Sequence, residues 1–169
     1  MIRAARTTDV FAIADIMIGR LDDSRFAGLA AIEPKLARQM FAQAVQRHGG
    51  TTDGATFLMV NETKGEIDAF LFASLGRIYG VFDTLCATDN LLLGKKDCDP
   101  LALLRLVRAY LAWAESNPKV VETSLSWADT IEGSEELSSI YERMGFTLCS
   151  ATYRRANPNF ALEERMVAA

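Results

Sequence analysis

The segment from Asp99 to Glu115 restricts the fold more than any other part of the chain. Asp99 offers a side-chain acceptor to the free N–H groups that open a helix, and Pro100 fits the first turn. From Leu101 to Glu115 apolar residues fall on nearly every helical face, so this helix must be largely buried. Asn117-Pro118 stops it. Cover has to come from extended segments on either side. Ahead of the helix, Ala55–Val60 and Ile67–Leu75 flank the turn-like Asn61-Glu62-Thr63-Lys64-Gly65-Glu66, and a third extended stretch, Val81–Leu93, follows Gly76. Behind it, Val120–Trp127 alternates as a strand does.

The rest of the chain supplies a second layer. Ile2–Ala5 reads as a short strand, and the oxygens of Thr7-Thr8-Asp9 open a helix carrying Val10, Ile13, Ala14 and Met17 at helical spacing. Glu33-Pro34 starts another, whose stripe of Leu36, Ala37, Met40, Phe41, Ala44 and Val45 opposes Lys35, Arg38, Gln39 and Gln43. Ser134–Arg143 forms a short helix ended by Gly145, and Phe146–Tyr153 and Phe160–Val167 read as closing strands around Asn157-Pro158-Asn159. The order predicts an α/β (α+β) fold over residues 1–169 as one domain: a single mixed, mostly antiparallel sheet with helices on both faces.

Charge and composition exclude several classes of function. Lys+Arg of 18 against Asp+Glu of 22 gives a net charge of −4, which disfavours nucleic-acid backbones and anionic lipid. A single histidine, His48, leaves typical catalytic zinc and di-iron centres without ligands, so no metal is expected. Placed before Gly49-Gly50, His48 reads as a partner of a helix dipole rather than a catalytic group. Cys86, Cys98 and Cys149 form no C-x-x-C pair. Cys86 and Cys149 fall in apolar strands and read as inert core thiols, while Cys98 sits among aspartates that do not activate a thiol. With neither a signal-peptide pattern nor a membrane-length apolar run, a soluble, cytoplasmic protein is expected.

Two segments resemble a known family. Ile2-Arg3-Ala4-Ala5-Arg6-Thr7-Thr8-Asp9 with Phe11-Ala12-Ile13-Ala14 is similar to the first strand and helix of the GCN5-related N-acetyltransferases. Ile140-Tyr141-Glu142-Arg143-Met144-Gly145-Phe146 resembles their Leu-Tyr-Glu-x-x-Gly-Phe signature, the more specific of the two matches. The resemblance implies acetyl-CoA as cofactor, held in a V-shaped opening between the strands that end near Leu93 and begin near Val120. It implies Leu91, Leu92, Leu93, Gly94, Lys95, Lys96, Ala102 and Ser134 as cofactor-binding residues. It also implies that Tyr141 protonates the departing thiolate; by composition alone Tyr141 reads equally as a core aromatic beside Met144 and Phe146.

The loop before the long helix departs from the family pattern. The Arg/Gln-x-x-Gly-x-Gly/Ala stretch falls on Asp97-Cys98-Asp99-Pro100-Leu101-Ala102, where only Ala102 agrees. Ser134 also reads as an N-cap, and Leu137 replaces a usually small residue. Glu122, on one side of its strand with Ser124 and Ser126, is a candidate general base, as are Asp83 and Asp89 on the preceding strand. Two functions follow. One is an acyl-CoA-dependent N-acyltransferase acting on a small-molecule or protein amine. The other is a non-catalytic module of the same fold, a homo-oligomer or assembly partner, loosely similar to acetyltransferase-like tailed-phage proteins and then located in a virion.

Overall fold

Among the described residues, five strands join in chain order into one sheet, β1-β2-β3-β4-β5: β1 (Ile2–Ala4), β2 (Thr56–Thr63), β3 (Glu66–Arg77), β4 (Leu85–Gly94) and β5 (Val120–Ser124). The first three junctions are antiparallel, whereas β5 runs parallel to β4. A parallel neighbour cannot follow through a tight turn, and α3 (Pro100–Glu115) makes the crossover. The other α-helices among the described residues are α1 (Val10–Gly19), α2 (Pro34–Gln46) and α4 (Glu136–Arg143). The computed structural model describes residues 1–20, 23–30, 32–126 and 136–155.

Alternation along the strands divides the core between the two faces. Leu58, Val60 and Phe70 pack under α1 and α2 against Ile13, Ala14, Phe41 and Ala44. The Phe41 and Phe70 rings meet edge to face at 5.3 Å, a geometry worth about 1 kcal/mol beyond area burial. On the other face Phe57, Leu71, Ala73, Leu75 and Ala87 pack against Leu106, Val107, Tyr110 and Ala114 of α3. Burial of α3 is a stripe rather than a full girdle. Ala102, Leu106, Tyr110 and Ala114 are fully buried at successive i, i+4 positions, Leu103, Leu111 and Trp113 only partly, and Leu101 is exposed.

At the first junction, Asp9 ties β1 to α1. Its carboxylate binds the Arg3 guanidinium at 2.6 Å and accepts the Arg6 N–H at 2.7 Å. The ion pair with Arg3 holds the Asp9 carboxyl below the ordinary aspartate value.

Several boundaries differ from expectation. β2 runs through Asn61 and Glu62 to Thr63, and the reversal is made by Lys64 (φ 53°) and Gly65 (φ 86°). Two consecutive positive φ angles match the twist of a hairpin, and buried Asn61 joins the strand by donating to Asp68 at 2.6 Å. β4 begins at Leu85 rather than Val81, because Ile78–Gly80 forms a 3₁₀ turn. β5 ends at Ser124, three residues short of Trp127, which lies outside the described residues. Residues 146–153 form no strand; with Leu148 86% and Tyr153 94% exposed, no burial favours the extended ladder there. Cys149 is accordingly exposed instead of a core thiol. The expected strand 160–167 lies outside the described residues.

His48 is not a partner of the α2 dipole. Its Nδ1 accepts the Leu58 N–H at 2.9 Å, taking over the edge of β2 where β1 has ended. Burial lowers the imidazole below its ordinary value of 6.5, and only the neutral ring offers this acceptor. Because the unfolded chain takes up its proton first, this contribution is complete above about pH 6.5 and is lost as pH falls through the lower folded value. Denaturation curves from about pH 8 to about pH 5 should show wild type losing stability that His48→Asn does not lose, since an amide oxygen accepts the same bond without titrating. Parallel profiles would exclude the imidazole as the titrating group.

Candidate active site

The ladder between β4 and β5 runs from Leu85↔Val120 to Thr88↔Ser124 and stops. β4 continues through Asp89–Gly94 paired to β3, with no strand on its other edge among the described residues. The expected neighbours are thus adjacent, and the fork opens between Asp89 and the departing end of β5. At the same level β4 carries a bulge: Ala73 faces Asp89 and Phe72 faces Leu91, leaving Asn90 unpaired in the register. The extra residue bends the strand and re-aims the side chains on either side of it.

Three side chains from three elements hold the end of β5. Asp89 Oδ1 accepts both the Ser126 N–H at 2.9 Å and the Ser126 hydroxyl at 3.0 Å. Tyr110 of α3 donates to the Ser124 carbonyl at 3.1 Å, and Tyr141 of α4 donates to the Ser126 carbonyl at 3.4 Å. Ser124 in turn reaches back to the Ala87 carbonyl at 3.3 Å.

Burial sets the charge state of this cluster. Asp89 is only 6% exposed, and desolvation raises its carboxyl above the ordinary aspartate value against the two Ser126 bonds, which act to lower it. The Tyr141 phenol is pushed up to about 12 by burial and then by the neighbouring Asp89 charge. Tyr110 is raised for the same two reasons, in the same order. A carboxyl with raised proton affinity therefore sits beside two phenols that stay protonated at neutral pH, an arrangement suited to moving protons.

The structure brings some of the expected residues to this point and leaves others elsewhere. Tyr141 is at the fork, and Leu91, Leu92, Leu93 and Gly94 form the β4 segment beyond it, with Leu91 and Leu93 toward α1 and α2 and Leu92 toward α3. Glu122 is exposed on β5 opposite Cys86, and Asp83 is exposed in the turn before β4. Of Glu122, Asp83 and Asp89, the one at the fork is Asp89. Ser134 lies outside the described residues, and Leu137 is half-buried on α4.

Two contributors gave no local signal. Tyr110 belongs to the buried stripe of α3 and looks like any core aromatic, while Ser126 appeared only as a polar position of its strand. An aspartate in the otherwise largely apolar run of β4 was the visible clue.

At the start of α3, Asp99 caps the helix by accepting the Leu101 N–H at 2.9 Å and pairs with Arg105 at 3.0 Å. The Ala102 N–H bonds the Asp99 carbonyl at 2.8 Å, and Pro100 has no N–H. Lys95 and Lys96 point away, to Glu66 at 3.4 Å and Asp23 at 2.8 Å. Both line a groove of about 610 Å³ between α1 and the β2–β3 turn, on the face opposite α3. Gly94 is explained by packing, because a Cβ there would overlap the Cys98 sulfur. The Cys98 thiol is raised, first by burial and then by Asp68, Asp97 and Asp99, which keeps it protonated. Among the described residues no group of His, Cys, Asp and Glu is placed to hold a metal ion, and no helix is long and apolar enough to cross a membrane.

No protein-family model matches the sequence, and no curated protein matches it. Solved structures do match. A possible acetyltransferase from Clostridium difficile 630 superposes with a TM-score of 0.64 at 11% identity, over 93% of this chain and 96% of that one. Glucosamine-6-phosphate N-acetyltransferase from Arabidopsis thaliana gives 0.62 at 12% identity, over 92% and 97%. Ribosomal-protein-alanine N-acetyltransferase from Brucella melitensis gives 0.66 at 12%, over 89% and 86%. With its mixed sheet and the parallel pair that parts beyond Thr88, the chain has the fold of the GCN5-related N-acetyltransferases.

Proposed function

We propose that this chain is an N-acyltransferase that moves an acetyl group from acetyl-CoA to an amine of a small molecule or a protein. The observation that carries this reading is the fork itself, where Asp89 and Tyr141 are both fixed on Ser126 beside a β4 edge that no other described strand pairs. An acyl thioester supplies an electrophilic carbonyl and a sulfur leaving group. Backbone N–H and C=O groups of 89–94 on the open edge are suited to amides of an extended arm, as an unpaired strand edge is in general.

Asp89 accepts the proton of the attacking amine, directly or through water. Its raised proton affinity makes it a stronger base than an exposed carboxylate. Tyr141, protonated throughout the neutral range, holds a proton at its hydroxyl for the departing sulfur. Glu122, exposed and away from these groups, has no part in the step.

The arm and the diphosphate of CoA fit unequally. A helix N-terminus binds phosphate through free N–H groups, and here Asp99 has already taken those of α3 while adding negative charge. Lys95 and Lys96 are engaged on the α1 side. This self-capped start favours a second reading, a non-catalytic module that keeps the fold and binds a partner, cytoplasmic or in a virion. Calorimetry with acetyl-CoA separates the two: saturable stoichiometric binding supports the enzyme, and its absence supports the module.

Three outcomes follow for the enzyme. Tyr141→Phe should lower kcat about 10²-fold with little change in acetyl-CoA affinity; unchanged turnover would remove it from the mechanism. Asp99→Ser keeps a cap acceptor and removes the charge, so CoA affinity should rise about two- to fivefold at low salt. Asp89→Asn should abolish most turnover yet gain stability over wild type as pH rises. In the native state Asp89 keeps its proton to a higher pH than in the unfolded chain, so its charging costs native stability above the ordinary aspartate value. Melting temperatures of the two proteins should therefore diverge from about pH 4 toward about pH 8, and a constant difference would contradict the burial of that charge.

A further inference from the structure

Ser126 touches both members of the proton-handling pair with different atoms. Its N–H and hydroxyl converge on the same oxygen of Asp89, at 2.9 and 3.0 Å, and its carbonyl accepts the Tyr141 hydroxyl at 3.4 Å. Neither partner is near it in sequence: Asp89 is 37 residues away and Tyr141 15. The residue lies just past the last β4–β5 pair, where the strand has lost its ladder and has no backbone partner on β4 to fix it.

We propose that Ser126 is a positioning residue that sets the base and the acid of the fork in one frame, its hydroxyl orienting Asp89 and its carbonyl orienting Tyr141. This rests on the N-acyltransferase reading above. The hydroxyl matters separately from the backbone. Two donors on one oxygen fix the carboxylate plane, and the hydroxyl also stabilises the charged form that the acceptor amine needs. Among the described residues, the titratable groups around this carboxyl are Tyr110 from α3 and Tyr141 from α4, with Cys86 on β4 itself acting on Tyr110. None of these brings a positive charge, and the hydrogen bonds from Ser126 work against the effect of burial on Asp89.

The test is the pH dependence of kcat/KM for Ser126→Ala, with Ser126→Thr as the conservative control. Loss of the hydroxyl should move the acid limb to higher pH, lowering kcat/KM on the order of tenfold on the acid side of the profile while the curves converge at alkaline pH, where Asp89 is charged in both proteins. Ser126→Thr should restore the wild-type limb. A loss equal at every pH, or an unmoved limb, overturns the proposal, because a purely structural serine has no reason to act through protonation. The ¹³C carboxyl resonance of Asp89, assigned with Asp89→Asn, gives an independent readout without any acyl donor. Its titration midpoint should rise in Ser126→Ala; an unchanged midpoint overturns the positioning role. If wild type shows no acyl transfer while the midpoint still rises, the enzyme reading fails and the hold of Ser126 on Asp89 stands.

Discussion

Among the described residues β4 has a strand on both sides over Leu85–Thr88 and on one side over Asp89–Gly94, and the rest of the site depends on that change. A strand that loses a neighbour exposes a row of backbone donors and acceptors. It also frees the departing strand to turn away. The change coincides with the bulge at Asn90, which alters the twist of β4 where the fork opens. Placing a carboxylate there is costly, since a buried charge without partners is strongly disfavoured. Here the partners are the N–H and hydroxyl of the residue that has just left the ladder. Asp89 and Ser126 thus solve two problems together, the orphaned backbone of β5 and the buried charge of β4.

α3 links both ends of the same arrangement. Its first turn satisfies its own N–H groups through Asp99, and near its middle Tyr110 reaches the carbonyl of Ser124. The helix that anchors the fork is therefore also the one whose start is chemically closed. Positive charge that would favour an anion at that start is spent on the other face, where Lys96 meets Asp23 and Lys95 meets Glu66. Both lysines are exposed and such pairs are weak individually, so they bias side-chain direction more than they stabilise the fold. A molecule held here would draw its affinity mainly from the β4 edge.

The correspondence with N-acetyltransferase structures lies at the level of fold, with identities of 11–12% in the three superpositions described. Fold alone does not assign chemistry. What argues for chemistry in this chain is local: a buried aspartate and a buried tyrosine sharing one residue at the point where two parallel strands part.

Much of the architecture was legible in the sequence because its signals are short-range. Asp99-Pro100 caps a helix with atoms two residues away, and the stripe of Phe41 and Ala44 repeats within two turns. Alternation gave β2, β3 and β4 their order and their antiparallel pairing. Ends of strands were read less well. Whether 146–153 or Trp127 joins a ladder depends on a partner edge and on burial, which are not local properties. His48 follows the same rule: its chain position beside a helix end suggests a dipole partner, and only the path of β2 brings an N–H within reach. Sequence determined that an acid would sit in β4 and a tyrosine before Gly145. Only the tertiary structure decided that Asp89 rather than Glu122 lies at the fork with Tyr141, and that Ser126 bonds both. Those bonds span 15 and 37 residues, and their geometry is fixed by where β5 leaves β4.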